Sequence, residues 1–268
     1  MTSDESRPAG PVRYETSGPV ATITFNRPDA MNALDVPTKE ALLAALNTAA
    51  ADETVRAVVL TGTGRAFCVG QDLREHVQKL MSGEPPLATV RDHYNPITLA
   101  ITGMSKPVIA ALNGVAAGAG AAFAFACDLR LAADTAAFNL AFAGVALSAD
   151  SGASWTLPRL VGRAKALELL LMPETIPVQQ AAALGLVTEV VPADELAGRA
   201  AELAARLAAG PTVSYAALKA SVGFGESHTL GDTLQFEDEM QTKCGRTEDH
   251  REAVDAFLAK RKPEFKGR

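Results

Sequence analysis

The segment KPVIAALNGVAAGAGAAFAFACDLR, Lys106–Arg130, contains the pattern on which the interpretation of this sequence depends. Apolar residues over Pro107–Leu112 predict a strand, Gly114–Gly120 predicts a tight turn, and the apolar residues that continue to Ala126 predict a helix. Between the first lysine and the closing DLR, the only ionisable side chain is the Cys127 thiol. Chemistry in this segment must therefore use backbone N–H groups, and those at a helix N-terminus favour negative charge. The pattern predicts a site that stabilises an oxyanion.

A second segment, TGTGRAFCVGQDL at Thr61–Leu73, has the same order of strand, glycine-containing loop and helix start. If each segment directs one N–H group at the same carbonyl oxygen, the two form an oxyanion hole. The alternative is that both glycine-rich turns simply connect strands to helices, which is common in α/β folds. Neither segment by itself decides between the two interpretations.

A dinucleotide site is a further alternative, because Gly118-Ala119-Gly120 begins like the G-x-G-x-x-G fingerprint. Phe123 stands at the position of the third glycine, and no clear acidic residue follows about 20 residues later at a strand end. The match is therefore partial and disfavours this interpretation.

Composition limits the possible function classes. The chain has 268 residues, of which 48% are hydrophobic, enough for one large domain with a substantial core. A net charge of −6 disfavours nucleic-acid binding, and no apolar run reaches the ~18 residues of a membrane span. We expect a polar tail at residues 1–11 rather than a signal peptide. The three cysteines predict reduced thiols in the cytoplasm, and the four histidines show no metal-ligand spacing.

Strand and helix patterns alternate as far as Val191, and only helices are predicted after it. This order favours an α/β domain with a helical C-terminal part. We expect a loop at Gly83–Pro86. The predicted strands are Ala21–Phe25, Ala57–Thr61, Pro107–Leu112, Leu129–Ala133, Ala137–Phe142 and Val187–Val191. The predicted helices are Pro37–Ala51, Asp72–Leu80, His93–Met104, the stretch to Ala126, Gly152–Leu157, Ala164–Leu171, Val178–Leu184, Asp194–Ala209 and most of Pro211–Lys262.

The two glycine-containing segments together resemble the enoyl-CoA hydratase/isomerase, or crotonase, superfamily. The resemblance extends from about Tyr14 to Lys266 and includes NRPDAMNAL, LPRLVGRAKALELLL, AAALGLVTEVVP and REAVDAFLAKRKPEF. It implies an α/β fold, a spiral of ββα turns over residues 12–200, followed by a helical trimerisation region over 201–268. It also implies a homotrimer or homohexamer that acts on acyl-CoA thioesters. No separately bound cofactor is expected, because coenzyme A is part of the substrate.

The resemblance assigns oxyanion donors by motif position. These are the backbone N–H groups of Gln71 and of Ala119, where many members of the family have glycine. The two glutamates that hydratases of this family use fall here on Ala122 and Phe142. Because neither side chain can accept a proton, hydration by two glutamates is excluded at these positions. The surrounding motifs are similar to those of the 1,2-epoxyphenylacetyl-CoA isomerase and enoyl-CoA isomerase group.

Isomerases of the superfamily carry a catalytic carboxylate at the position of Asp150. Apolar neighbours, including Leu147 and Trp155, would raise its pKa and suit it to proton transfer. Asp150 could instead be the N-cap of the helix that follows it. We expect catalysis, and hence an enoyl-CoA isomerase. The alternatives are a hydratase, hydrolase or lyase of the same superfamily and a non-catalytic acyl-CoA-binding protein.

Contacts to coenzyme A are also implied by the resemblance. Two of them, Phe257 and Lys260, would reach the CoA of a neighbouring subunit. The full set of expected contacts is Arg27, Ala30, Cys68, Asp72, Leu73, Phe257 and Lys260.

Overall fold

The chain winds through successive turns of strand, strand and helix, and between residues 57 and 139 each turn adds one strand to each of two sheets. The computed structural model describes residues 10–83, 85 and 87–268. Residues 1–9 of the predicted tail (1–11), and positions 84 and 86 of the predicted loop, lie outside these described residues. The α/β spiral followed by helices that the sequence predicts is confirmed.

The larger sheet has six strands in the order β1-β2-β3-β5-β7-β10. Its first pair is antiparallel and the remaining pairs are parallel, with Ile23 opposite Leu60 and Leu60 opposite Ala110. Its strands are β1 (Val12–Ser17), β2 (Val20–Phe25), β3 (Ala57–Gly62), β5 (Val108–Leu112), β7 (Leu129–Ala133) and β10 (Glu189–Val191).

The smaller sheet consists of three-residue strands in the order β4-β6-β8-β9, and only its last pair is antiparallel. Its strands are β4 (Ala66–Cys68), β6 (Val115–Ala117), β8 (Ala137–Asn139) and β9 (Thr175–Pro177). Because β4 and β6 are parallel neighbours, the chain leaves both strands at the same edge of the sheet. The starts of the helices that follow β4 and β6 are thereby brought close together.

Eleven α-helices are present in the described part of the chain, and none of them is long and apolar enough to cross a membrane. The predicted division of the chain after residue 200 falls within α8, and it stays a prediction. The helices are α1 (Val36–Ala51), α2 (Leu73–Ser82), α3 (Asn95–Thr102), α4 (Ala119–Ala126), α5 (Ala153–Val161), α6 (Arg163–Leu171), α7 (Val178–Ala183), α8 (Leu196–Ala208), α9 (Thr212–Gly225), α10 (Leu230–Gly245) and α11 (Glu248–Leu258).

All eight residues of α4 are buried, which explains why the segment carries no charged side chain. A Cβ atom at Gly120 would lie 2.1 Å from the carbonyl oxygen of Cys68. Only a residue without a side chain therefore lets the first turn of α4 pack directly on β4. This close approach fixes the distance between the two glycine-containing segments.

The charged residues at the two ends of the opening segment are used structurally. Lys106 donates to the carbonyl groups at the end of α1, including Ala49 at 2.6 Å. Arg130 donates to the carbonyl of Cys127 at 2.6 Å and thereby satisfies a free acceptor at the end of α4. Burial is the main cause that lowers the pKa of Arg130.

Several boundaries and short elements differ from the sequence prediction. The predicted turn Gly114–Gly120 contains β6, and the predicted loop Gly62–Gly70 contains β4. Both strands lie among glycines that give the signal of a turn, so their pairing is defined by neighbours distant in the sequence. The sequence prediction also lacked β1 and β9, and it extended one helix, His93–Met104, across what is a π-helical turn (Val90–Tyr94) followed by α3.

The contact between Gly120 and Cys68 predicts a marked difference between two helical glycines. We expect Gly120→Ala to destabilise the protein by about 1–3 kcal/mol, because the methyl group would collide with backbone. The matched control is Gly198→Ala in α8, where a Cβ would meet no atom within 4 Å, and it should stabilise by about 0.5–1 kcal/mol. Urea unfolding of the two variants measures both effects, and equal stabilities would contradict this packing.

Candidate active site

A cavity of about 880 Å³ opens where the two glycine-containing segments meet. It is bounded by the loop after β2, the junction of β4 with α2, the π-helical turn, the junction of β6 with α4, and the chain before α5. Of the residues predicted from the sequence, the cavity is lined by Arg27, Ala30, Gln71, Asp72, Leu73, Ala119 and Asp150. A volume of this size falls within the range for small-molecule sites.

The backbone at Gln71 is held from one side by Leu34. Leu34 donates its N–H to the carbonyl of Gly70 at 2.8 Å and accepts from the N–H of Asp72 at 3.1 Å. In such a parallel bridge the N–H of the intervening residue points away from the partner strand. The N–H of Gln71 donates to no acceptor among the described residues, and Gln71 lines the cavity.

The second free N–H belongs to Ala119, the first residue of α4. The first hydrogen bond within this helix runs from Ala122 to the carbonyl of Gly118 at 3.0 Å, so the Ala119 N–H has no partner inside the helix. Gly118 supplies the sharp entry into α4 with φ of +49°. Ala119 is not among the described residues with positive φ, so its methyl group adds no strain to the backbone.

The two donors lie close to each other because Gly70 lacks a side chain. A Cβ on Gly70 would lie 3.2 Å from the Ala119 nitrogen, and Gly70 has φ of +81°. Two free N–H groups in one cavity, one of them at a helix N-terminus, can stabilise negative charge that develops on a single oxygen.

Asp150 is a half-buried carboxylate in the same cavity. It accepts a hydrogen bond from the Ser151 hydroxyl at 2.9 Å. Burial raises the pKa of Asp150, although this hydrogen bond acts in the opposite direction. Such a carboxyl group can exchange protons more readily near neutral pH than an exposed one.

The alternative role of Asp150 as a helix cap is not what the structure shows. The N-cap of α5 is Gly152, and no side chain caps this helix. Ser151 and Gly152 have φ of +52° and +80°, so the chain turns through two left-handed residues before α5 begins. This turn separates the Asp150 carboxylate from the helix N-terminus that it would otherwise cap.

The two positions where the resemblance expects glutamate carry no proton acceptor. Ala122 is fully buried in α4, whereas Phe142 is 8% exposed and lines the cavity. Of the other aromatic residues in this part of the chain, Phe123 and Phe138 are buried in the core, and Trp155 is exposed beside Arg159. The segment that leads to Asp150 therefore contributes apolar side chains to the cavity, namely Phe142, Val145 and Leu147.

At the mouth of the cavity, Arg27 is bound by two carboxylates. It pairs with Asp35 at 3.1 Å and with Asp72 at 3.0 Å. Asp72 also caps α2 by accepting from the N–H of Arg74 at 3.0 Å. Burial alone would raise the pKa of Asp72, but Arg27 and these N–H groups outweigh it, so the pKa is lowered. Because its charge is already paired, Arg27 is a weaker candidate for binding a free phosphate.

Three predicted contact residues do not line the cavity. Cys68 is fully buried in β4, where burial raises the pKa of its thiol to about 12. Its side chain is therefore an unreactive part of the core. Phe257, which is 81% exposed, and Lys260 lie at the end of α11 on the surface of the chain. Their predicted contact with a neighbouring subunit stays a prediction.

The structure also adds residues that the sequence reasoning missed. Arg65, Arg74 and His76 bring positive or titratable groups to the cavity lining, and Tyr94 contributes a phenol. Of these four residues, only Arg65 could have been found from the sequence, because it lies inside the motif TGTGRAFCVGQDL. His76 has no metal-ligand spacing to the other histidines, and α2 places it beside the cavity.

Comparison with known proteins shows the family to which the chain belongs. Residues 15–268 match the family described as Enoyl-CoA hydratase/isomerase. A Rhodobacter capsulatus protein named "Probable enoyl-CoA hydratase" is 44% identical, with 96% of this chain and 98% of the relative aligned. The 1,2-epoxyphenylacetyl-CoA isomerase of Escherichia coli is 40% identical, with 93% and 95% aligned.

Solved structures show the same fold. A Mycobacterium abscessus protein assigned to the enoyl-CoA hydratase/isomerase group superposes with a TM-score of 0.92 at 44% identity, covering 96% of this chain and all of the other. An enoyl-CoA hydratase from Bacillus anthracis gives a TM-score of 0.88 at 31% identity, with 96% and 100% covered. With a family match over nearly the whole chain and relatives above 30% identity, the chain belongs to the enoyl-CoA hydratase/isomerase family, the crotonase superfamily.

Proposed function

We propose that this member of the family is an enoyl-CoA isomerase in which Asp150 acts as both acid and base. The proposal rests on how the carboxylates that line the cavity differ in burial, ion pairing and pKa. Three line it: Asp29 is exposed, Asp72 is paired with Arg27 and caps α2, and Asp150 is half-buried among apolar groups. Only Asp150 combines contact with the cavity, a raised pKa and freedom from a cation in the described part of the chain.

The mechanism follows from these positions. The thioester oxygen of a 3-enoyl-CoA accepts hydrogen bonds from the N–H groups of Gln71 and Ala119. The Asp150 carboxylate removes a proton from C2, and the electron pair of that C–H bond delocalises onto the oxygen as a dienolate. Protonated Asp150 then returns the proton to C4, which leaves the double bond between C2 and C3. One carboxylate suffices, since the proton leaves and returns on one face of the acyl chain.

The substrate supplies coenzyme A, and we place its nucleotide end at the mouth of the cavity. Arg27 and Ala30 line this region, and Arg65 and Arg74 add positive charge that suits phosphate groups. We place Asp72 and Leu73, which also line the cavity, toward the thioester end. Phe257 and Lys260 would complete the site from a neighbouring subunit.

We further propose a homotrimer or a homohexamer built on the C-terminal helices. These helices expose several large apolar side chains, a pattern that marks protein interfaces. They are Leu218, Val222, Leu230, Leu234, Phe257 and Leu258.

Hydration is the second candidate, because the R. capsulatus relative is named a hydratase. A hydratase without the two glutamates would need Asp150 and a water molecule held by the substrate. A hydrolase or lyase of the superfamily, and an acyl-CoA-binding protein without activity, are further alternatives. The absence of a carboxylate at Ala122 and Phe142 favours isomerisation over each of the hydration mechanisms that use two acids.

The choice of reaction predicts a specific product pattern. Incubated with a 3-enoyl-CoA in deuterated water, the wild-type enzyme should move the double bond to C2 and exchange protons at C2 and C4. Incubated with crotonyl-CoA, it should add water far more slowly. Mass spectrometry and the absorbance of the conjugated thioester measure both reactions. Rapid hydration of crotonyl-CoA would overturn the isomerase proposal in favour of a hydratase, and tight binding without any turnover would favour a binding protein.

Removal of the proposed base gives the next prediction. Asp150→Asn should lower kcat by about 10²- to 10⁴-fold, because the amide cannot accept the proton. In the wild type, kcat/KM should fall as the pH drops through the raised pKa of Asp150, since only the ionised carboxylate acts as a base. An unchanged kcat in Asp150→Asn would remove this residue from the mechanism.

Stability separates a catalytic Asp150 from a capping one. A raised pKa in the folded state means that folding disfavours the ionised form, so this charge lowers stability at neutral pH. Asp150→Ala should therefore leave the melting temperature unchanged or raise it. The matched control is Thr247→Ala, which removes a real N-cap that accepts from His250 at 3.0 Å, and it should lose about 1 kcal/mol. Equal destabilisation of the two variants in thermal unfolding would restore the capping role.

A further inference from the structure

Lys39 in α1 is fully buried directly behind the loop that carries the Gln71 N–H group. Its ammonium group donates to Glu75 at 3.0 Å, to Gln71 Oε1 at 3.2 Å and to the Thr89 hydroxyl at 2.9 Å. Burial is the main cause that lowers the pKa of Lys39, although Glu75 acts in the opposite direction. A buried ion pair of this kind contributes little to stability compared with apolar packing of similar volume, so stability alone does not account for it.

The side chain of Gln71 is fixed at both of its polar atoms. Its oxygen accepts from Lys39 and from the hydroxyl of Tyr94, and its nitrogen donates to Glu75 Oε1 and to the carbonyl of Asp72, each at 3.2 Å. Four hydrogen bonds leave the amide one orientation. Because the side chain cannot rotate without breaking them, the backbone of the same residue is also held, and with it the direction of its N–H group.

The polar cluster of Lys39, Gln71, Glu75 and Tyr94 is anchored to the surrounding helices. Glu75 accepts from the N–H of Val36, at the start of α1, at 2.6 Å. Burial would raise the pKa of Glu75, but hydrogen bonds from Lys39 and its other donors outweigh it, so the pKa is lowered. Glu75 therefore stays ionised as the partner of Lys39.

Tyr94 extends the cluster to the second donor. Its ring packs edge-on against Phe123 of α4, with 6.0 Å between the ring centres. The N-terminus of α4 supplies the Ala119 N–H, so both donors rest on contacts with this cluster. No atom of Lys39 lines the cavity, which places it outside direct contact with substrate.

We propose that Lys39 is a positioning residue for the oxyanion hole: by fixing the Gln71 side chain through Gln71 Oε1 and Glu75, it holds the Gln71 N–H in place for the developing enolate. This inference rests on the proposed role of Gln71 as an oxyanion donor. Lys39 acts through Gln71 and does not take part in the proton transfer assigned to Asp150.

A matched control is a second lysine, which lies outside α1 and contacts the opposite end of that helix. Lys106 is also a buried lysine, and it also makes three hydrogen bonds, but all three go to backbone carbonyls at the end of α1. Lys106 is remote from Gln71 in its contacts and does not line the cavity. Replacing either lysine by methionine keeps an unbranched side chain of nearly the same length and removes the charge.

The test compares Lys39→Met with Lys106→Met in steady-state kinetics on a 3-enoyl-CoA, below the melting temperature of each variant. We expect Lys39→Met to lower kcat by about 10- to 100-fold, with KM changed less than about threefold, because a misdirected donor weakens the transition state more than the bound substrate. Lys106→Met should melt earlier but keep the wild-type kcat. A wild-type kcat in folded Lys39→Met, or an equal loss of kcat in both variants, would overturn the proposal.

A spectroscopic measurement keeps the proposal testable if one variant folds poorly. Acetoacetyl-CoA has an acidic C2 whose enolate absorbs in the near ultraviolet, so its bound enolate fraction reports the oxyanion hole without any turnover. We expect this fraction to fall in Lys39→Met and, by a smaller factor, in Tyr94→Phe, which removes only the hydroxyl that donates to Gln71. It should stay at the wild-type value in Lys106→Met.

Different results would contradict the proposed function and the proposed role of Lys39. If wild-type protein neither binds acetoacetyl-CoA nor turns over any enoyl-CoA, the proposed function fails, and the role of Lys39 fails with it. If wild-type protein forms the bound enolate and Lys39→Met forms it equally well, only the role of Lys39 is overturned.

Discussion

The close packing of β4 against the first turn of α4 is the contact on which the site depends. A side chain at Gly120 would occupy the space of the Cys68 carbonyl, and one at Gly70 would crowd the Ala119 nitrogen. Two glycines therefore let the junctions of two parallel strands approach until their free N–H groups line one cavity. In the proposed function these two N–H groups, rather than any side chain, stabilise the negative charge on the thioester oxygen.

Around this backbone pair, charge is distributed unevenly. Several charged residues line the cavity, among them Arg27, Arg65 and Arg74, whereas the segment that leads to Asp150 contributes the apolar side chains of Phe142, Val145 and Leu147. Ala122 and Phe142 stand where the resemblance expects glutamates, and burial raises the pKa of Asp150. Lys39 does not line the cavity but binds the Gln71 side chain through hydrogen bonds to Gln71 and Glu75. In our proposals, Gln71, Ala119 and Asp150 contact the substrate, whereas Lys39 holds Gln71 in place.

Much of this arrangement could be predicted from the sequence. The long strands such as β3, the long helices such as α1 and α8, and the helix start at Asp72 follow from periodicity and capping. The short strands β8 and β10 also follow from the sequence, but β4 and β6 lie among glycines that give the signal of a turn, and β9 ends in a proline. Only pairing with strands distant in the sequence defines these three. Likewise Lys39 and Tyr94 gave no signal, since one lies in an ordinary helix and the other next to a π-helical turn.

The sequence by itself determined the family resemblance, the two glycine-containing segments and the loss of glutamate at Ala122 and Phe142, because these are properties of residue type and order. Only the tertiary structure decided that Asp150 does not cap α5, that Cys68 is buried away from the cavity, and that Arg27 is already paired. Each of these depends on which distant residue lies within a few ångströms of the side chain. Distances between residues far apart in the chain are set by packing, and local sequence does not contain them.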